Sequence, residues 1–219
     1  MIPGWGLREA CEEPGILWDV CNRWRIYALD QRMIKLGFPS KLVPKTFGTY
    51  VTETGDLSEA LDDIKGWARD YRYFQTIGKG ILMTGNPGIG KTHLAVAACR
   101  WLMERHVINE PRFWDYTHLM TVLRAHNEDS EVAVAQAMHC ELLVLDDLNT
   151  QRVTDWVREQ LGMIVNHRWS NNLITIVTSN DILQTYAEAL GSRIVSRIED
   201  MCPAMEWDGR DWRVAHDVN

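Results

Sequence analysis

At 219 residues, 46% of them hydrophobic and 24% charged, the chain is long enough for one principal globular domain with a sizeable core. A formal net charge of −7 at pH 7 excludes a protein coated in basic surface for non-specific nucleic-acid binding. The five cysteines, Cys11, Cys21, Cys99, Cys140 and Cys202, are odd in number and contain no C-x-x-C pair, which points to reduced thiols rather than a disulfide or zinc framework. With neither a charged leader nor a run of about 18 apolar residues, the expectation is a cytoplasmic protein with no membrane contact.

Residues 1–45 read as a helical extension, broken near Pro14 and Gly15 and stopped near Gly37 and Pro39. Leu17, Val20, Trp24, Tyr27, Ala28, Met33 and Leu36 give an approximate helical stripe. Between Cys21 and Lys45 the basic residues Arg23, Arg25, Arg32, Lys35, Lys41 and Lys45 face a single acid, Asp30. Such a segment either packs on the main domain, docks a protein, or contacts DNA through cations interleaved with aromatic rings. Residues 46–219 then form the main domain. Its first helix, residues 56–73, carries Leu57, Leu61, Ile64 and Trp67 at helical spacing.

An apolar strand at residues 80–84 runs into Gly85, Asn86, Pro87, Gly88, Ile89, Gly90, Lys91, Thr92 and His93, and a helix is expected over residues 94–105. The spacing fits G-x-x-x-x-G-K-[ST], a phosphate-binding loop. The glycines let consecutive backbone N–H groups point into one anion-binding nest, and the helix N-terminus adds its dipole. Lys91 supplies a point charge to the β- and γ-phosphates, and the Thr92 hydroxyl can ligate Mg²⁺. The implied cofactors are ATP or ADP and Mg²⁺.

A second strand is expected at residues 112–115, followed by a helix capped by Thr117 and carrying Leu119, Met120 and Leu123. After a short helix at 131–138, Leu142, Leu143, Val144 and Leu145 run into Asp146 and Asp147. A continuous apolar run marks a buried parallel strand, and ligands in open α/β sheets sit beyond the strands' carboxyl ends. Asp146 is therefore placed to hold Mg²⁺, and Asp147 to orient or polarise the attacking water. A helix over 154–169 and a strand over 173–178 follow, the strand ending at Ser179 and Asn180, where Asn180 is the candidate to hydrogen-bond water or γ-phosphate. Residues 191–198 read as a helix with Arg193 and Arg197 on one face, and residues 204–207 as a last strand.

The ordered set of Gly85 to Thr92, Leu143 to Asp147, Thr178-Ser179-Asn180, Ser196-Arg197 and the closing Gly209-Arg210-Asp211-Trp212-Arg213 resembles the DnaC/IstB-like branch of AAA+ ATPases. That resemblance implies a mostly parallel α/β sheet flanked by helices. It implies Asp146 and Asp147 as the Walker B pair, Asn180 as sensor 1, and Arg197 as an arginine finger reaching a neighbouring subunit, with Arg193 the alternative. Arg168 is a further candidate intersubunit cation or a surface residue. Two departures stand out: Asp147 occupies a position where these proteins more often use Glu, and the segment after residue 207 is too short for the usual helical lid. The resemblance also implies partners, namely a replicative DNA helicase, single-stranded DNA and other copies of the chain in an AAA+ oligomer. The competing readings are a transposition accessory ATPase and a nucleotide-gated adapter with little turnover.

Overall fold

A computed structural model of the protein describes residues 14–52, 55–149 and 153–209. The described chain begins with helix α1 (Pro14–Lys35), continues through a 3-10 turn (Phe47–Thr49) to α2 (Gly55–Arg69) and α3 (Tyr71–Ile77), and then enters the sheet. Strand β1 (Ile81–Gly85), α4 (Lys91–Glu104), β2 (Arg112–Asp115), α5 (Tyr116–Arg124), α6 (Glu128–His139) and β3 (Leu142–Leu148) follow. Helix α7 (Asp155–Ser170), β4 (Ile174–Ser179), the short α8 (Ala187–Leu190), α9 (Ser192–Met201) and β5 (Ala204–Trp207) complete it. The five strands are all parallel, in the order β2-β3-β4-β1-β5.

Strand residues alternate between two cores, as a sheet buried on both faces requires. Ile81, Met83, Val144, Ile174 and Ile176 point to the face covered by α2, α4 and the end of α1. Leu82, Leu143, Leu145 and Val177 point to the face covered by α5, α6, α7 and α9. All five carboxyl ends therefore emerge on one side, and that side carries the functional cleft. Among the described residues, no helix is long and apolar enough to cross a membrane.

The α1 stripe divides between two faces. Met33 and Leu36 enter the first core, whereas Trp24 and Tyr27 are 53% and 59% exposed. Nine residues are two and a half helical turns, so Trp24 and Met33, like Tyr27 and Leu36, lie on opposite faces. The side chains of Leu17 and Val20 lie outside the described residues. The end of α1 is fixed to the domain by Phe113 N–H donating to the Leu36 carbonyl (3.1 Å) and by Arg32 donating to the Asn109 carbonyl (2.8 Å).

The buried Arg100 of α4 makes a second tie: its guanidinium donates to Asp30 of α1 (2.6 Å), to the Val43 carbonyl (2.8 Å) and to Glu104 (2.9 Å).

Other local expectations shift. The helix over 56–73 breaks at Asp70 into α2 and α3. Asp115, not Thr117, caps α5, its carboxylate accepting from His118 N–H (2.7 Å). Helix α6 starts three residues earlier, because Asn127 and Ser130 form a reciprocal capping box.

Arg168 is the largest departure. It is 1% exposed, so it is neither an intersubunit cation nor a surface residue. Its guanidinium donates to the carbonyls of Ala137 (2.8 Å), Cys140 (3.0 Å) and Ile174 (2.6 Å) and to the Thr175 hydroxyl (2.9 Å). It thereby joins the end of α6 to the start of β4. Burial pushes its pKa down, opposed by the neighbouring Cys140 thiol.

Candidate nucleotide-binding site

The loop between β1 and α4 takes the conformation that its glycines permit. Gly85 has φ +134, and a Cβ there would lie 2.0 Å from the Trp207 carbonyl oxygen of β5. Gly90 has φ +89, and a Cβ there would meet the Tyr50 ring at 2.6 Å. At both positions a side chain is excluded by backbone strain and by contact. Asn86 is held at the loop's start by donating to Asp208. Helix α4 begins at Lys91, so Lys91, Thr92 and His93 form its first turn, where backbone N–H groups have no intrahelical partner. That leaves donors and the positive end of the helix dipole facing the cleft.

Two hydrogen-bond chains converge on this turn. The Lys91 ammonium donates to the Gly85 carbonyl (2.7 Å), the Asn86 carbonyl (2.9 Å) and the Asn180 side-chain oxygen (2.8 Å). Asn180 in turn donates through its amide nitrogen to Asp147 (3.1 Å). The Thr92 hydroxyl lies 2.9 and 3.1 Å from the two oxygens of Asp146, which also accepts from the Thr178 hydroxyl (2.7 Å). Asp147 N–H donates to that same Thr178 hydroxyl (2.8 Å). The tips of β1, β3 and β4 are thus joined through side chains.

The two aspartates are set apart by an irregularity in β3. Leu145 pairs with Val177 and Leu148 with Ser179, so β3 carries one residue more than β4 across the interval. This is a β-bulge, and it re-aims the side chains within it. Asp147 adopts φ +58, a left-handed conformation that Asp tolerates better than most side chains. Asp146 is consequently buried while Asp147 is exposed to the cleft. Burial raises the Asp146 pKa, against the lowering effect of the hydrogen bonds from Thr178 and Thr92.

The cleft measures about 530 Å³. The phosphate loop forms one wall, Asp115, Asp146, Asp147, Thr178 and Asn180 a second, and Leu42, Lys45, Thr49, Tyr50 and Val51 a third. Asp115 was not among the residues expected here. It reaches the cleft because β2 pairs with β3 in a register that sets it beside Asp146.

The donor set fits Mg²⁺. Thr92 and Asp146 offer adjacent hard oxygens beside the phosphate loop, and Mg²⁺ commonly takes only one or two protein ligands together with phosphate and water oxygens. Among the described residues no cluster of three or more His, Cys, Asp or Glu side chains gathers to make an all-protein metal cage.

Arg193 and Arg197 lie outside this cleft. The Arg197 guanidinium sits 5.1 Å from the centroid of the Trp169 ring, and Arg193 is exposed. Residues 210–213 of the closing motif lie outside the described residues.

The sign of the Asp146 shift yields a test. A carboxylate whose folded pKa is raised destabilises the fold above that pKa, and the penalty is relieved as pH falls through it. Asp146→Asn is expected to raise the melting temperature of the nucleotide-free protein at pH 7. The same variant should lose the extra stabilisation that Mg²⁺ adds to ATP, both read by thermal denaturation.

A glycine loop after an interior strand, a carboxylate pair on a strand two places along the sheet and a polar tip between them define an AAA+ P-loop protein. Residues 71–217 match the family described as IstB-like ATP binding protein, and the chain belongs to that family. It is 30% identical over 193 residues to the uncharacterized protein YqaM of Bacillus subtilis, covering 82% of this chain and 61% of that one. It is 28% identical over 153 residues to the replicative helicase loader DnaI of the same organism, covering 62% of this chain and 48% of the relative. Among solved structures it resembles the crystal structure of the DnaC helicase loader, with TM-score 0.67 and 28% identity, covering 77% of this chain and 99% of that one. The chain spans about half to three-fifths of the length of these curated relatives.

Proposed function

We propose that the protein binds ATP with Mg²⁺, hydrolyses it slowly, and loads a replicative DNA helicase onto single-stranded DNA. The observation that carries the hydrolytic part is Asn180, which bonds both Lys91 and Asp147. One amide thereby reports the occupant of the phosphate loop to the carboxylate that would polarise water. Thr92 and Asp146 would hold Mg²⁺, which would neutralise phosphate charge and raise the electrophilicity of the terminal phosphorus.

In this reading Lys91 and the loop amides orient the triphosphate, Asn180 positions the water, and Asp147 accepts its proton. The remaining cation comes from another copy of the chain, through Arg197 or Arg193, so hydrolysis depends on assembly. Likeness to DnaI and DnaC supports the helicase as partner. The family match supports a second reading, an accessory ATPase of transposition acting on duplex DNA.

The test is a pull-down with the tagged chain in ATP and in a non-hydrolysable analogue, followed by identification of the captured proteins. Recovery of a replicative helicase, with preference for single-stranded DNA, is the expected result. Recovery of a transposase with duplex preference selects the second reading. Partner capture that responds to ATP but without measurable phosphate release selects a nucleotide-gated adapter.

A further inference from the structure

The cleft's third wall is part of a strap, residues 42–51, that is remote in sequence from the phosphate loop yet fastened to it at several points. His93, on the first turn of α4, directs Nε2 at the Thr46 carbonyl (2.9 Å) and the Thr49 hydroxyl (3.3 Å). Thr49 already donates its hydroxyl proton to the Thr46 carbonyl (3.0 Å), so both oxygens present lone pairs to the ring. Nε2 therefore carries the proton that these oxygens accept.

Next along the strap, the Tyr50 hydroxyl donates to the Ile89 carbonyl within the phosphate loop (2.7 Å). Burial pushes that hydroxyl up to about 12, so it remains a donor. The Tyr50 ring lies against Gly90 and meets His93 edge-on, with centroids 5.3 Å apart and planes at 90°.

The walls differ in chemistry. Beyond the glycine loop the cleft offers the rest of a nucleotide two walls, the carboxylate wall and the strap. The first is lined by Asp115, Asp146 and Asp147, whereas the strap offers Leu42, Tyr50 and Val51. A heteroaromatic base gains from the apolar surface and not from the row of carboxylates.

We propose that His93 is a positioning residue, which holds the Thr46–Tyr50 strap against the phosphate loop so that the strap forms the wall receiving the nucleobase. His93 then acts on the base through the strap, rather than by touching the nucleotide. The inference rests on the nucleotide-binding reading above.

The test compares two ligands that differ in possessing a nucleoside. Isothermal titration of the full chain with Mg·ATP and with Mg·tripolyphosphate is carried out for the wild type, His93→Ala, His93→Gln and Tyr50→Phe. His93→Ala is expected to weaken ATP binding about tenfold, the worth of one lost hydrogen bond, and to leave tripolyphosphate within about twofold. His93→Gln, whose amide N–H can reach the Thr46 carbonyl, should restore most of the ATP affinity. Tyr50→Phe, which removes only the bond to Ile89, should show the same selective loss.

Equal weakening of both ligands would place His93 on the phosphate loop alone and overturn the proposal, as would ATP affinity unchanged in His93→Ala and Tyr50→Phe. Should the folded wild type bind neither ligand, the nucleotide reading itself falls, and the inference with it.

Discussion

Replacing Arg168 by alanine lowers the unfolding free energy by about 3–5 kcal/mol, which for a chain of this length is a fall in melting temperature on the order of 10 °C. The reason is geometric. Its guanidinium serves the carbonyls of Ala137, Cys140 and Ile174 and the Thr175 hydroxyl, all in the interior between α6 and β4. Truncation leaves several of these acceptors without a donor and opens a cavity the length of an arginine side chain, which water can enter to satisfy part of them. Arg168→Met fills much of the volume but supplies no donors, so it should recover only part of the loss. A surface arginine would change stability by within about 0.5 kcal/mol. Thermal or urea unfolding of the purified variants separates the two cases.

Asp147→Asn is expected to reduce phosphate release about a hundredfold or more while leaving the affinity for ATP nearly unchanged. Asparagine is the informative substitution because the residue sits at φ +58, where Asn and Asp are the best-tolerated side chains after glycine. Its side-chain oxygen can still accept from Asn180, so the bulge and the Lys91–Asn180 contact are kept and only the basicity is removed. Alanine would confound the result by adding backbone strain. Single-turnover hydrolysis gives the chemical step, and fluorescent-nucleotide titration gives the affinity. If Asp147→Asn turned over at the wild-type rate, Asp147 would not be the group that polarises water, and Asp115, on the same wall, would be the next carboxylate to change.

The phosphate loop, the carboxylate pair and the polar tip were legible because each is local. A glycine spacing, four apolar residues before two aspartates and a β-branched run before Ser-Asn are each contained within one short stretch of chain. Arg168 was legible in principle: Val157, Leu161, Ile164 and Arg168 continue one inward-facing helical stripe, and only the residue's charge argued for the surface. The Trp24–Met33 stripe expected on α1 divides because its period is only approximate. An approximate period accepts residues that the helix sends to opposite faces.

The sequence by itself determined that the chain carries the parts of a nucleoside-triphosphate site on a parallel sheet, since apolar runs, glycine turns and charged strand ends are set by neighbours along the chain. Only the tertiary structure decided how those parts are joined. Lys91 and Asn180 lie 89 residues apart, Thr92 and Asp146 54, and Tyr50 and Ile89 39. Such contacts depend on strand order, on a bulge in β3 and on a strap folded back over α4. No local pattern encodes them, because each pairing is fixed by where the sheet brings distant segments side by side.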